Sequence, residues 1–160
     1  MIEPTKPDPR MMLEEIRGQV ADRTLERFDH EDARRIGSAA AAVAEREHLP
    51  IVVAVSRGTQ RVFHAAFAGT TAEHDDWVRR KINTALRHEI ASLEFVLRQE
   101  LSGQTPDWLD QRKFAIAGGA VPIIVAGITV GAIAVSGLVG SIREDHDLAM
   151  DALRVAAKRR

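Results

Sequence analysis

The chain has 160 residues, with 22 basic and 23 acidic side chains, a formal net charge of −1, and neither cysteine nor tyrosine. That length fits one domain able to bury a sizeable core, and the near-neutral charge argues against a nucleic-acid binder. The absent residue types exclude disulfides, thiolate metal centres and phenolate haem ligation.

Residues 1–9 carry three prolines and lack the apolar core of a signal peptide, so a flexible tail on a cytoplasmic protein is expected. A single domain then spans residues 10–160. Met12, Leu13 and Ile16 predict a short helix over Arg10–Arg17, with Gly18 as its stop. Thr24–Phe28 reads as a short strand. Asp29 is placed to cap a helix whose first turn holds Glu31 and Asp32, and whose stripe of Ile36, Ala39, Ala40, Val43 and Ala44 runs to about Glu47.

Ile51–Ser56 is continuously apolar, as in a strand buried on both faces, and Arg57-Gly58-Thr59 turns it into a second strand over Arg61–Phe67. From Glu73 to Leu101 apolar residues recur every three or four positions. This predicts one long helix, or two breaking near Ser92. Pro106 suits the first turn of a short helix through Gln111.

Phe114–Ile142 carries no charge over 29 positions and holds six of the eleven glycines. Its length meets the threshold for a membrane span. However, Pro122 and Gly127 divide it, and its β-branched residues favour strands. A hairpin of Ala120–Ala126 and Ile128–Ser136, turning at Ala126-Gly127, is the better reading. Asp145 and Asp147 start a last helix, whose end at Lys158-Arg159-Arg160 complements the helix dipole. The order is α(β)α–ββ–αα–ββ–α, an α/β chain of the α+β type with an antiparallel sheet under helices. Two hairpins apolar on both faces offer more surface than alanine-rich helices cover, so a homo-oligomer larger than a dimer is expected.

No complete catalytic constellation emerges. The six histidines form no HExxH-type spacing. His74-Asp75-Asp76 and Asp145-His146-Asp147 pair imidazoles with carboxylates, which would suit a metal or a polarised histidine. Both clusters also sit at predicted helix starts, where acids simply stabilise the dipole. Gly118-Gly119 matches no phosphate-loop pattern and fits close backbone packing. Ser136-Gly137 lacks the context of a hydrolase nucleophile. Arg79, Arg80 and Lys81 near Trp77 make a basic helix face that would also suit a carboxylate.

Six segments in fixed order, Arg61–Phe63, Ala68–Thr70, Asp75–Lys81, Gly118–Ile123, Gly131–Gly137 and Asp145–Asp147, resemble the haem-degrading-domain superfamily of HbpS-like and GlcG-like proteins, closest to its cytosolic branch. The resemblance covers about Phe28 to Leu153. It implies a sheet of about five antiparallel strands, large symmetric homo-oligomers, and binding of haem or another small molecule. The ligand would lie near Trp77, Lys81, Gly118, Gly119, Ser136, Gly137 and His146. For haem, or for a metal, His64, His74 and His146 are the candidate ligands. Two positions depart from the branch: Ala117 stands where a histidine is common, and Asp75-Asp76 where an asparagine is common. Two competing readings are a docking scaffold without a ligand and a haem-degrading or metal-assisted enzyme. A binding module requires a concave pocket where the glycine corners meet the Trp77 helix. A scaffold requires that region to be packed solid, and an enzyme requires the two acid–histidine clusters to converge.

Overall fold

In the computed structural model, residues 6–157 are described. The first five residues of the expected tail and the basic end Lys158–Arg160 therefore lie outside the described residues. Helix α1 spans Pro9–Asp22, with Pro9 at its first turn and the Asp8 carboxylate accepting from the Arg10 amide at 3.0 Å. It runs straight through Gly18, which is exposed and does not stop it. Burial of Met12, Leu13 and Ile16 against Ala91, Leu93 and Leu97 outweighs the roughly 1 kcal/mol that a helical glycine costs. The strand expected at Thr24–Phe28 reduces to one parallel bridge, Leu25 to Val125, in which the Leu25 amide donates to the Ile124 carbonyl at 2.8 Å.

Helix α2, His30–Glu47, opens on the expected Asp29 cap, closed into a reciprocal box by Asp32. Strands β1 (Val52–Arg57) and β2 (Gln60–Ala66) form the first hairpin. Helices α3 (Ala72–His88) and α4 (Ser92–Ser102) are separate, the break falling at Glu89 in the left-handed conformation. Residues 106–111 form turns rather than the expected helix. There the Asp110 carboxylate takes the Arg112 amide at 3.0 Å and bends the chain locally. Strands β3 (Ala120–Val125) and β4 (Ile128–Ser136) turn through Ala126 and Gly127, both at positive φ. Such a pair fits the tight hairpin turns that match strand twist. Helix α5 is Glu144–Ala157.

The four strands form one antiparallel sheet in the order β2-β1-β4-β3, so the two hairpins join through their inner strands. On one face Val53, Val55, Val121, Ile123, Ile133 and Val135 pack against α2 and α5. On the other, Val52, Ala54, Ala120, Ala132 and Ala134 receive Val78, Ile82 and Ala85 of α3. The small side chains of that second face let α3 lie close. Both faces of the central strands are thus covered by the chain's own helices, contrary to the expected shortfall. What remains uncovered is β2 on the α3 side, where His64 and Ala66 are exposed beside buried Ala54 and Val52. Among the described residues, no helix is long and apolar enough to cross a membrane.

Candidate functional site

Lys81 lies on the same stripe of α3 as Val78, Ile82 and Ala85, the stripe that faces the sheet. Only 3% of it is exposed. A buried ammonium is costly unless paired and hydrogen-bonded. Its Nζ donates to the Val135 carbonyl and to Oδ2 of Asp145, each at 3.1 Å. The other carboxylate oxygen of Asp145 accepts the Leu138 amide at 3.0 Å, which pins the loop between β4 and α5. Burial pushes the Lys81 pKa below its ordinary value. The Asp145 charge opposes that shift, and neighbouring Arg80 adds to it.

The glycine corners make this arrangement possible. Gly119 has φ +133°, and a Cβ there would lie 2.3 Å from the Val135 carbonyl oxygen and 3.0 Å from Lys81 Nζ. Gly137 has φ +139°, and its Cβ would lie 2.2 Å from the Pro50 carbonyl oxygen. Both are sites of left-handed backbone and close approach, where only glycine fits.

Two hollows flank the ion pair. One, of about 240 Å³, is lined by His74, Trp77, Ser136, Gly137 and Val139; the other, of about 230 Å³, by Val96, Ile116, Gly118, Ser141 and Ile142. Lys81, Ala117, Leu138 and Asp145 line both. Trp77 carries the Arg80 guanidinium 4.2 Å above its ring.

Five of the seven expected ligand positions, Trp77, Lys81, Gly118, Ser136 and Gly137, thus line the hollows, and Gly119 packs beneath Lys81. His146 does not join them. It is fully buried, with Nε2 at 3.2 Å from Gln19 Oε1 of α1 and Nδ1 without a partner. Desolvation holds its pKa down at about 4, against the pull of Asp147. Its neighbour Asp145 takes the place at the site. The sequence signal for Asp145 was indirect: a lysine inside an apolar stripe demands a buried counter-charge.

The histidines do not assemble a metal centre. Nε2 of His64 pairs with Asp75 at 2.7 Å, outside both hollows. His74 lines the first hollow, but its Nδ1 accepts the Thr71 amide at 3.0 Å, completing the α3 capping box. That bond leaves the neutral ring's proton on Nε2, making it a donor rather than an iron ligand. Among the described residues, no group of three or more histidines and acids is placed to hold a metal. The two acid–histidine clusters meet only through His74 and Asp145 at the first hollow.

The description "haem degrading protein HbpS-like" matches the chain over residues 28–154. A UPF0303 protein of Mesorhizobium japonicum is 40% identical over 130 residues, covering 79% of this chain and 77% of the relative. Among solved structures, the Ybr137w protein superposes with a TM-score of 0.83 at 24% identity, over 95% of this chain and 91% of that one. The PduOC–haem complex superposes with a TM-score of 0.66 at 22% identity, over 79% of this chain and 93% of that one. At these identities the structural likenesses speak for the fold.

Proposed function

The chain belongs to the haem-degrading HbpS-like family, and from that premise we propose that it is a cytoplasmic, homo-oligomeric module that binds a small molecule against Lys81. The observation that carries this reading is a buried lysine, paired with Asp145, that lines two adjoining hollows. An ammonium has three donors, and protein acceptors take two of them here.

Haem itself does not fit these residues as a histidine-ligated group. His146 faces α1, His64 is held by Asp75, His74 presents an N–H, and Ala117 offers no imidazole. Each hollow is also smaller than the roughly 300 Å³ at which pockets for drug-sized ligands begin. A smaller ligand of polar character suits the site better.

Assembly is supported by the loop that walls the hollows. Val139 is 96% exposed and Ile142 52%, both on that loop. A second copy seated there would bury these side chains and close the hollows from outside.

Melting-temperature titration with haemin and with a panel of small carbonyl and carboxylate compounds tests the reading. Members of the panel should raise the parent's melting temperature, since binding to the native state stabilises it. Ala117→Leu, which fills the space shared by both hollows, should abolish the rise. A parent unmoved by the whole panel, or a rise that survives Ala117→Leu, would overturn it.

A further inference from the structure

The charge at the site is already balanced. Asp145 neutralises Lys81 at 3.1 Å, so an anionic ligand approaching the ammonium would meet a carboxylate as well. A neutral carbonyl oxygen accepts the remaining ammonium N–H without that repulsion. We propose, resting on the reading that the hollows hold a ligand, that Lys81 captures small aldehydes or ketones as a covalent imine.

Three features of the geometry support the chemistry. First, Lys81 lines both hollows together with its partner Asp145, which places the side chain at the boundary a carbonyl ligand would occupy. Second, Gly119 lets the backbone pack close beneath Lys81 without crowding Nζ, since a Cβ there would stand 3.0 Å from it. Third, Asp145 Oδ2 lies on the same nitrogen and can hold the proton that the ammonium must lose before it attacks. Burial favours the neutral amine for the same reason that desolvated lysines serve as nucleophiles elsewhere.

The step balances without an added oxidant or reductant. Lys81 gives one proton to Asp145, and the amine lone pair forms a bond to the carbonyl carbon. The attacking nitrogen passes its second proton to the carbonyl oxygen, which becomes a hydroxyl. The carbinolamine then loses that hydroxyl as water, with the Asp145 proton delivered to the leaving oxygen. The product is an imine whose protonated form lies against the Asp145 carboxylate.

The chain holds only three lysines besides Lys81, namely Lys6, Lys113 and Lys158, so selectivity can be read directly. The protein is treated with butanal, and separately with butanone, then with borohydride to fix any imine as a stable amine. Peptide mass mapping locates the adduct, and thermal shift is recorded before reduction. The adduct should form on Lys81 ahead of the other three lysines. It should be lost in Lys81→Arg, which keeps the charge and cannot form the imine, and be suppressed in Ala117→Leu. Labelling spread over the other three lysines, or absent from Lys81, overturns the proposal. A probe that still shifts the melting temperature without labelling Lys81 defeats the imine alone and leaves the binding site standing. No shift and no labelling with either probe defeats the imine, while the wider panel decides the fate of the hollow.

Discussion

The Lys81 ammonium and the Asp145 carboxylate meet at 3.1 Å with only 4% and 11% of their side chains exposed, so α3 is tied to the first turn of α5 where water scarcely reaches. Removing one member of such a pair leaves the other charge buried alone. Asp145→Ala and Lys81→Met should each cost about 3 kcal/mol or more in urea denaturation. Lys81→Met combined with Asp145→Leu should cost clearly less than the sum. Strict additivity would show that the two groups do not act as a pair.

Glycines in this chain separate into two kinds. Gly119→Ala and Gly137→Ala force a Cβ into carbonyl oxygens 2.3 and 2.2 Å away at φ values of +133° and +139°. Each should destabilise by about 2 kcal/mol or more. Gly18 sits in the body of α1 with nothing within 4 Å of an added Cβ. Gly18→Ala should stabilise by about 0.5–1 kcal/mol. Equal effects at all three positions, read by thermal denaturation, would defeat the distinction.

His146 gives the fold an acid limit. Its native pKa of about 4 lies below the ordinary 6.5, so between those values the unfolded chain binds the proton more readily than the native one. Stability therefore falls as pH drops from about 6.5 towards 4, by about 3 kcal/mol when the shift is fully expressed. Glu15 of α1, whose pKa the Arg143 hydrogen bond lowers, steepens the same limb further down. In His146→Leu the slope between pH 6.5 and 4 should flatten. A slope unchanged in that variant would place the acid limit elsewhere.

Haemin offers a direct spectral test. Because no described histidine presents an open nitrogen to the hollows, parent, His64→Ala, His74→Ala and His146→Ala proteins should give superimposable Soret spectra with added haemin. A band that is lost in any one variant would identify an axial ligand and restore haem to the site.

Assembly should fail at the exposed loop. Val139→Glu places a charge on a side chain that is 96% exposed in the single chain, so the chain should still fold. By light scattering the variant should be smaller than the parent. A parent that is already monomeric at micromolar concentration would remove the oligomer altogether.

Much of the fold was legible because local chemistry and tertiary packing agree. The uncharged stretch resolved into β3 and β4 through its β-branched residues and the Ala126-Gly127 turn, and the Asp29 cap marked α2. Gly18 was misleading because its local stop signal competes with an apolar stripe that continues past it to Val20. Leu25 makes a single bridge, too little regular structure to leave a periodic pattern. At the site, the choice between Asp145 and His146 turned on helix phase. Successive helical residues point about 100° apart, and the phase of α5 is set by the loop that enters it, which includes the Asp145–Leu138 bond itself. Lys81 and the glycine corners were legible, whereas the residue that completes them depended on that loop.

The sheet's inner seam also has a kinetic side. Each hairpin pairs neighbours in the chain, but Val52 meets Ser136 across the β1–β4 junction, closing a loop of roughly eighty residues. The hairpins can therefore form quickly and independently, while their union waits on a distant encounter that chain entropy opposes. Lys81 belongs to the intervening segment and grips the Val135 carbonyl at the end of that seam. The same lysine that lines the hollows is thus a latch which engages only once both hairpins have met. A polypeptide stalled before that event would expose the inner edges of β1 and β4 together, the kind of unpaired strand pair that recruits other chains.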